Sequence, residues 1–163
     1  MSSTEKQKLF ILIGIPGSGK TTLASEMVEN IGDNVIHISR DNIRDEVGDK
    51  TYNRKSEQRV FKEYIRRIAS SLKMGYDVIA DSTNLSEEKR CIYFAIKEVL
   101  EKTHLADVDV IGIFVSTPLS VCLERNLKRH GDARVPDVVI ESMYSKIEEP
   151  SYEEGFKIIM NKN

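Results

Sequence analysis

Cysteine and histidine are scarce in this chain, and the few present are scattered. Cys91 and Cys122 stand far apart in no CxxC or Cys/His pattern, and His37, His104 and His130 share no ligand spacing. That excludes a disulfide framework and a zinc site, and leaves both cysteines as small core or half-buried helix residues. Internal repeats, low-complexity tracts and an apolar run long enough to cross a bilayer are absent as well. The polar tail 1–7 leads straight into an apolar stretch, so neither a signal peptide nor a membrane span is expected, and a reducing cytoplasm is the expected compartment. A surplus of one charge is also missing. The formal net charge is −2, so no global positive field gathers nucleic acid, and any polyanion site has to be a local patch.

What is present is enough for one well-filled domain spanning residues 1–163, since 40% of the residues are hydrophobic. The chain is organised around Gly14-Ile15-Pro16-Gly17-Ser18-Gly19-Lys20-Thr21, which fits GxxxxGK[ST]. The apolar run 9–13 before it predicts a strand buried on both faces, and Thr22 opens a stretch with helical spacing. Gly14, Gly17 and Gly19 lack Cβ, so the backbone can take positive φ and turn its N–H groups toward an oxyanion. The helix start adds its dipole to the same site. A triphosphate fits there, with Lys20 on the β/γ oxygens and the Thr21 hydroxyl as a Mg²⁺ ligand. A glycine turn that merely joins strand to helix has no need of all four specified positions.

A second strand is predicted over 35–38, followed by the polar cluster Ser39-Arg40-Asp41-Asn42 where open α/β sheets bind ligands. Arg44 follows Asp41 by three residues. Asp41 can take a proton from an attacking hydroxyl and Arg44 can hold an acceptor phosphate; the alternative is that Asp41 or Asn42 only caps a short helix. Residues 51–74 read as a helix closed by Gly75, and its many Lys and Arg side chains are either a solvated face or the flank of an acceptor polyanion.

The third strand, 77–80, ends in Asp81-Ser82-Thr83-Asn84, whose last three residues are expected to begin a helix. Asp81 either holds Mg²⁺ or positions an acceptor-site arginine. A fourth strand spans 108–115, and the helix opened by Pro118 ends in Arg125, Lys128 and Arg129, with Arg134 beyond the glycine of His130-Gly131-Asp132. This cluster is expected to form a mobile lid whose cations meet the charge on a transferring phosphoryl group. A further helix from 135–137 places Val139, Met143 and Ile147 on one face, and 156–160 reads as the last strand. Five strands alternating with helices imply a parallel sheet with right-handed crossovers.

These motifs in this order, closing with Arg125-Asn126-Leu127-Lys128-Arg129 and Val135-Pro136 before Met143-Tyr144, resemble the kinase domain of phage 5′-hydroxyl polynucleotide kinases from about residue 8 to 147. Bacterial RNA-repair kinase domains are similar at greater distance. The resemblance implies a P-loop kinase fold with sheet order 2-3-1-4-5, a helical lid, ATP and Mg²⁺ as cofactors, and transfer of the γ-phosphate to the 5′-OH end of RNA or DNA. It implies that residues 14 and 16–22 cradle ATP·Mg²⁺, with Arg125 and Arg129 on the donor phosphates. It makes Asp41 the general base and sets Arg44, Asp81, Thr83 and Asn84 on the acceptor side. The sequence departs from those enzymes in having no DxDxT phosphatase motif and a mildly acidic balance, which suits a short strand end in a local groove. A small-molecule P-loop kinase and a nucleotide-driven switch are the alternatives, and an oligomer stays open.

Overall fold

The computed structural model of the chain describes residues 5–47 and 53–163. Strand β1 (Gln7–Ile13) leads into helix α1 (Lys20–Ile31), then β2 (Val35–Ser39), α2 (Arg40–Val47), α3 (Arg54–Lys73) and β3 (Asp77–Asp81). Helix α4 (Glu87–Lys102), β4 (Val108–Val115), α5 (Leu119–Leu127), α6 (Asp137–Ser145) and β5 (Ile158–Lys162) complete the series, with 3₁₀ turns at Gly131–Ala133 and Tyr152–Glu154.

All pairings are parallel and the order is β2-β3-β1-β4-β5, as the resemblance implies. β1 is central and buried from Leu9 onward because both its neighbours are paired and both sheet faces are covered. Val60, Tyr64, Ile68 and Leu72 of α3 pack with Tyr93, Ile96 and Leu100 of α4 on one face. Ala24 of α1, supported by Leu23, Met27 and Val28, covers the other. Each fully buried aliphatic side chain in these layers contributes roughly 1.5–3 kcal/mol. No described helix is long and apolar enough to cross a membrane.

Several boundaries differ from the sequence reading for local reasons. The 51–74 helix begins at Arg54, capped by the Asn53 side chain accepting from the Ser56 N–H at 2.9 Å; residues 51 and 52 lie outside the described residues. Ser82–Asn84 do not begin a helix. Asn84 sits in the left-handed region at φ 50°, and α4 starts only after Ser86, whose hydroxyl accepts from the Lys89 N–H. β5 starts at Ile158, because Phe156 turns inward to stack edge-on against Phe94, with ring centroids 5.0 Å apart. On α6 the inward residue is Ile140, backed by Met143 and Ile147, while Val139 faces outward. Cys122 is buried as expected, but Cys91 is exposed.

A buried polar network ties the sheet to the helices. The two N–H donors of the Asn84 amide go to the Leu12 carbonyl at 2.8 Å and the Ser82 carbonyl at 3.2 Å. Its oxygen accepts from the Tyr93 hydroxyl, which also meets that of Tyr64. Asn84 is thus consumed as a joint inside the fold, which removes it from the acceptor side. Arg90, 0% exposed, forks onto the Glu154 carboxylate at 2.8 and 2.7 Å and donates to the Asn84 and Glu148 carbonyls. Its four bonds leave little of the charge uncompensated. Glu154→Ala, which strands the guanidinium, should cost about 3–5 kcal/mol in urea unfolding, and the Arg90→Met/Glu154→Leu double variant should cost less. Equal loss in both would mean that packing, not charge pairing, sets the effect.

Candidate active site

The loop between β1 and α1 is held by close contacts from behind. A Cβ on Gly17, at φ +82°, would lie 2.7 Å from the Cys122 carbonyl oxygen. Gly14 is needed for another reason than positive φ: a Cβ there would meet Ser18 Oγ at 2.7 Å and the Val115 carbonyl at 3.1 Å. The Gly14 N–H donates to the Thr83 carbonyl, the Thr117 hydroxyl to the Ser18 carbonyl at 2.7 Å, and Arg125 Nη1 to the Gly17 carbonyl at 3.2 Å. Pro16 is half-buried at the turn, and the Ile15, Gly17 and Ser18 carbonyls are each taken by a side-chain donor.

Helix α1 starts from Gly19 in the left-handed region, with no side-chain cap and no acidic residue in the first turn, so its leading N–H groups and dipole meet no competing carboxylate. Ser18 Oγ is, with Arg40 Nε, one of two buried side-chain nitrogen or oxygen atoms without a partner among the described residues. Lys20 is 9% exposed and its ammonium donates to the Ile15 carbonyl at 3.1 Å. Burial pushes its pKa down; Asp81 and then Asp41 pull it up, and Arg129 pushes it down further. Both carboxylates and the Arg129 cation therefore act on one ammonium. Thr21 and Thr22 are exposed at the start of α1.

Asp81, 6% exposed at the end of β3, accepts from the Thr21 hydroxyl at 3.3 Å and from His37 Nε2 at 2.9 Å, both at Oδ2. A hydroxyl and a carboxylate this close suit a small oxygen-seeking cation whose remaining ligands come from phosphate and water. Among the described residues no group of three or more His, Cys, Asp or Glu could hold a metal alone.

The second cluster lies on α2 and α3. Ser39 Oγ accepts from the Asn42 N–H at 3.3 Å and so caps α2, which frees Asp41 from that duty. The Asp41 carboxylate is 86% exposed and pairs with Arg44 Nη1. Arg44 is also clamped by Glu57 of α3, at 2.6 Å through Nε and 3.1 Å through Nη2, which raises its pKa. Arg40 reaches the same Glu57 at 3.3 Å and lies over the Phe61 ring, 5.4 Å from its centroid. Glu57 escaped the sequence reading because it sits in a run dominated by cations. Its signal was being the sole acidic residue in the first turn of that helix.

The lid cations separate. Arg125, Lys128, Arg129 and Arg134 are all exposed, and of these Arg125 donates to the phosphate loop. The segment between α5 and α6 is pinned by buried Asn126, whose side chain bonds both ways with the Val135 backbone and donates to Asp137.

A parallel sheet in this order, a glycine-lined phosphate loop and a strand-end carboxylate beside its threonine define a P-loop kinase domain. Residues 9–150 match the family model described as an AAA domain, and the chain belongs to that family. It is 24% identical over 156 residues to the bifunctional polynucleotide phosphatase/kinase of Schizosaccharomyces pombe, covering 94% of this chain and 33% of that protein. It is 32% identical over 139 residues to the adenylate kinase of Sulfurovum sp., covering 78% of this chain and 68% of that one. It is also similar to a chain of the solved Pnkp1/Rnl/Hen1 RNA repair complex, with 28% identity, a TM-score of 0.67, and coverage of 89% of this chain and 45% of that chain. The chain thus spans a third of the fission-yeast relative and under half of the RNA-repair chain.

Gly17→Ala should lose roughly 1–2 kcal/mol from the left-handed backbone alone, with the contact to Cys122 adding to it. A fall of roughly 2–8 °C in melting temperature is expected; an unchanged value would show that the loop does not depend on that approach.

Proposed function

We propose that the chain transfers the γ-phosphate of ATP to the 5′-hydroxyl end of an RNA or DNA strand. The observation that carries this reading is the acceptor-side clamp: Arg44, fixed by Glu57, standing beside an exposed Asp41 whose field reaches Lys20. A base next to a phosphate-binding cation is what an acceptor with a hydroxyl and a nearby phosphodiester requires. The likeness to the fission-yeast enzyme and to the RNA-repair chain supports the acceptor class.

The donor phosphates lie against the α1 N-terminus, the Ser18 hydroxyl and Lys20, which leaves the Ile15 carbonyl for the β/γ oxygens. Thr21 and Asp81 would hold Mg²⁺, which neutralises phosphate charge when bound. Arg44 takes the acceptor's first phosphate while Glu57 keeps its orientation. Asp41 accepts the hydroxyl proton as the oxygen attacks phosphorus, the β–γ bridging bond breaks and ADP leaves. Arg125 and Arg129 meet the charge on the transferring group, and closure of the segment carrying Arg129 excludes water. Thr83, whose carbonyl steadies Gly14, lines the acceptor side.

The second reading is phosphoryl transfer to a small acceptor, favoured by the adenylate kinase likeness over 68% of that protein. Incubation with γ-labelled ATP, Mg²⁺ and a 5′-OH oligonucleotide, beside AMP, nucleosides, sugars and a no-acceptor control, separates the cases. Label is expected on the oligonucleotide and not on its 5′-phosphorylated form. Label on AMP or a sugar alone would move the acceptor to a small molecule, and hydrolysis alone would favour a switch.

Two substitutions test the roles. Asp41→Asn should lower kcat about 10²–10⁴-fold with ATP affinity nearly intact; normal turnover would take Asp41 out of the mechanism. Arg44→Ala should raise the KM of the acceptor well above its effect on that of ATP, and the reverse pattern would move Arg44 to the donor side.

A further inference from the structure

His37 lies on β2, two residues before the strand end, on the same sheet face as Val35, which packs into the layer beneath α1. β2 runs parallel to β3 with His37 opposite Ile79 and Ser39 opposite Asp81, so the His37 ring reaches two residue pairs up the ladder to the carboxylate. The contact is Nε2 to Asp81 Oδ2 at 2.9 Å, with His37 only 19% exposed and Asp81 6%. A carboxylate oxygen accepts, so Nε2 carries the proton and donates. The same Oδ2 faces the Thr21 hydroxyl at 3.3 Å. One oxygen is thus gripped from the edge strand and aimed at the first turn of α1.

We propose that His37 is a positioning residue for metal-nucleotide binding: it holds the Asp81 carboxylate in the orientation that lets Asp81 and Thr21 share one cation. This rests on the reading that the site binds a nucleotide with a divalent cation. Ligating carboxylates are commonly fixed by hydrogen bonds from behind, and loss of such a partner costs about 10–100-fold in metal affinity. Without His37, Asp81 keeps its burial but loses its closest donor and is free to swing toward the Lys20 ammonium, whose pKa its field already raises. That would spend the cation's ligand on an internal ion pair. A structural role alone predicts something else: loss of stability and of all nucleotide binding together.

The test uses the full-length chain, ADP as nucleotide and Mn²⁺ as a paramagnetic probe. ADP affinity is measured by calorimetry in EDTA, and Mn²⁺ affinity of the ADP complex by electron paramagnetic resonance. His37→Leu should weaken Mn²⁺ binding about 10–100-fold while ADP affinity in EDTA stays within about two-fold of the original. His37→Gln, whose amide carries an N–H at similar reach, should recover most of the loss, and the shorter His37→Asn should not. Wild-type Mn²⁺ affinity in His37→Leu, or a parallel fall in ADP affinity without metal, overturns the proposal. If His37→Leu does not fold, the Gln and Asn variants decide: equal Mn²⁺ affinities overturn it, and Gln tighter than Asn supports it. Failure of the unsubstituted protein to bind ADP or Mn²⁺ would instead bring down the kinase reading itself.

Discussion

An ammonium buried against a carbonyl is a poor resting place for a charge, and the donor half of the site depends on it. Burial of Lys20 works against its protonated form, and the sole hydrogen bond it makes among the described residues is to the Ile15 carbonyl. The fold tolerates this because Asp81 and Asp41 lend their fields from the ends of two neighbouring elements. It also tolerates an unbonded Ser18 hydroxyl and a helix start without a cap. Each of these is unfavourable alone, and all point at the same space. A polyanion placed there would satisfy them together, so part of its binding free energy would come from these donors.

Holding that loop in its unrelieved form requires rigid neighbours, which explains the contacts behind it. Cys122 on α5 leaves no room for a side chain at Gly17, Thr117 and Arg125 fix carbonyls of the loop, and Thr83 fixes Gly14. The last of these passes through Asn84 to Tyr93 and Tyr64, and through the Asn84 carbonyl to Arg90 and Glu154. Burial pushes the pKa of Tyr93 up to about 12, against the pull of its two hydroxyl hydrogen bonds. The network therefore stays neutral at the hydroxyls and charged only where Arg90 meets Glu154. Preorganisation of the loop and stability of the core are properties of one set of bonds.

Much of this was legible in the sequence where the signal is local. The strand, turn and helix around residues 14–21 follow from an apolar run, glycines and helical spacing, and the five strands fall within two residues of expectation. Sheet order came from the resemblance, since periodicity says which segments are strands and not which neighbour each takes. The pairs that build the site lie beyond such reading. Arg44 and Glu57 are 13 residues apart, His37 and Asp81 44, Arg90 and Glu154 64. The first two pairs meet because α2 packs against α3 and β2 lies beside β3, and the third because the 3₁₀ turn at Tyr152–Glu154 sits against α4. The misplaced helix start at Ser82 has the same origin: Asn84 would cap a helix in isolation, and the Tyr93 hydroxyl claims its side-chain oxygen first. His37 looked like one of three stray histidines for the same reason.

On the proposed reading, the acceptor half works on neutrality rather than on excess charge, so a net charge of −2 is compatible with a polyanionic substrate. Arg40 and Arg44 are matched by Glu57 and Asp41, and on α3 Arg66 and Arg67 hold Glu63, whose pKa they draw down to about 2. On that reading recognition falls on Arg44. On the proposed reading, an incoming phosphate has to compete with Asp41 for that guanidinium. The competition ends when Asp41 takes up the hydroxyl proton, because a neutral carboxyl no longer attracts Arg44 as strongly. Proton transfer thereby hands Arg44 to the acceptor phosphate as phosphoryl transfer proceeds, while Glu57 prevents the side chain from following Asp41 away. An interaction that strengthens as the proton moves is worth more to the transition state than to the bound substrate, and it is built here from three side chains on two helices.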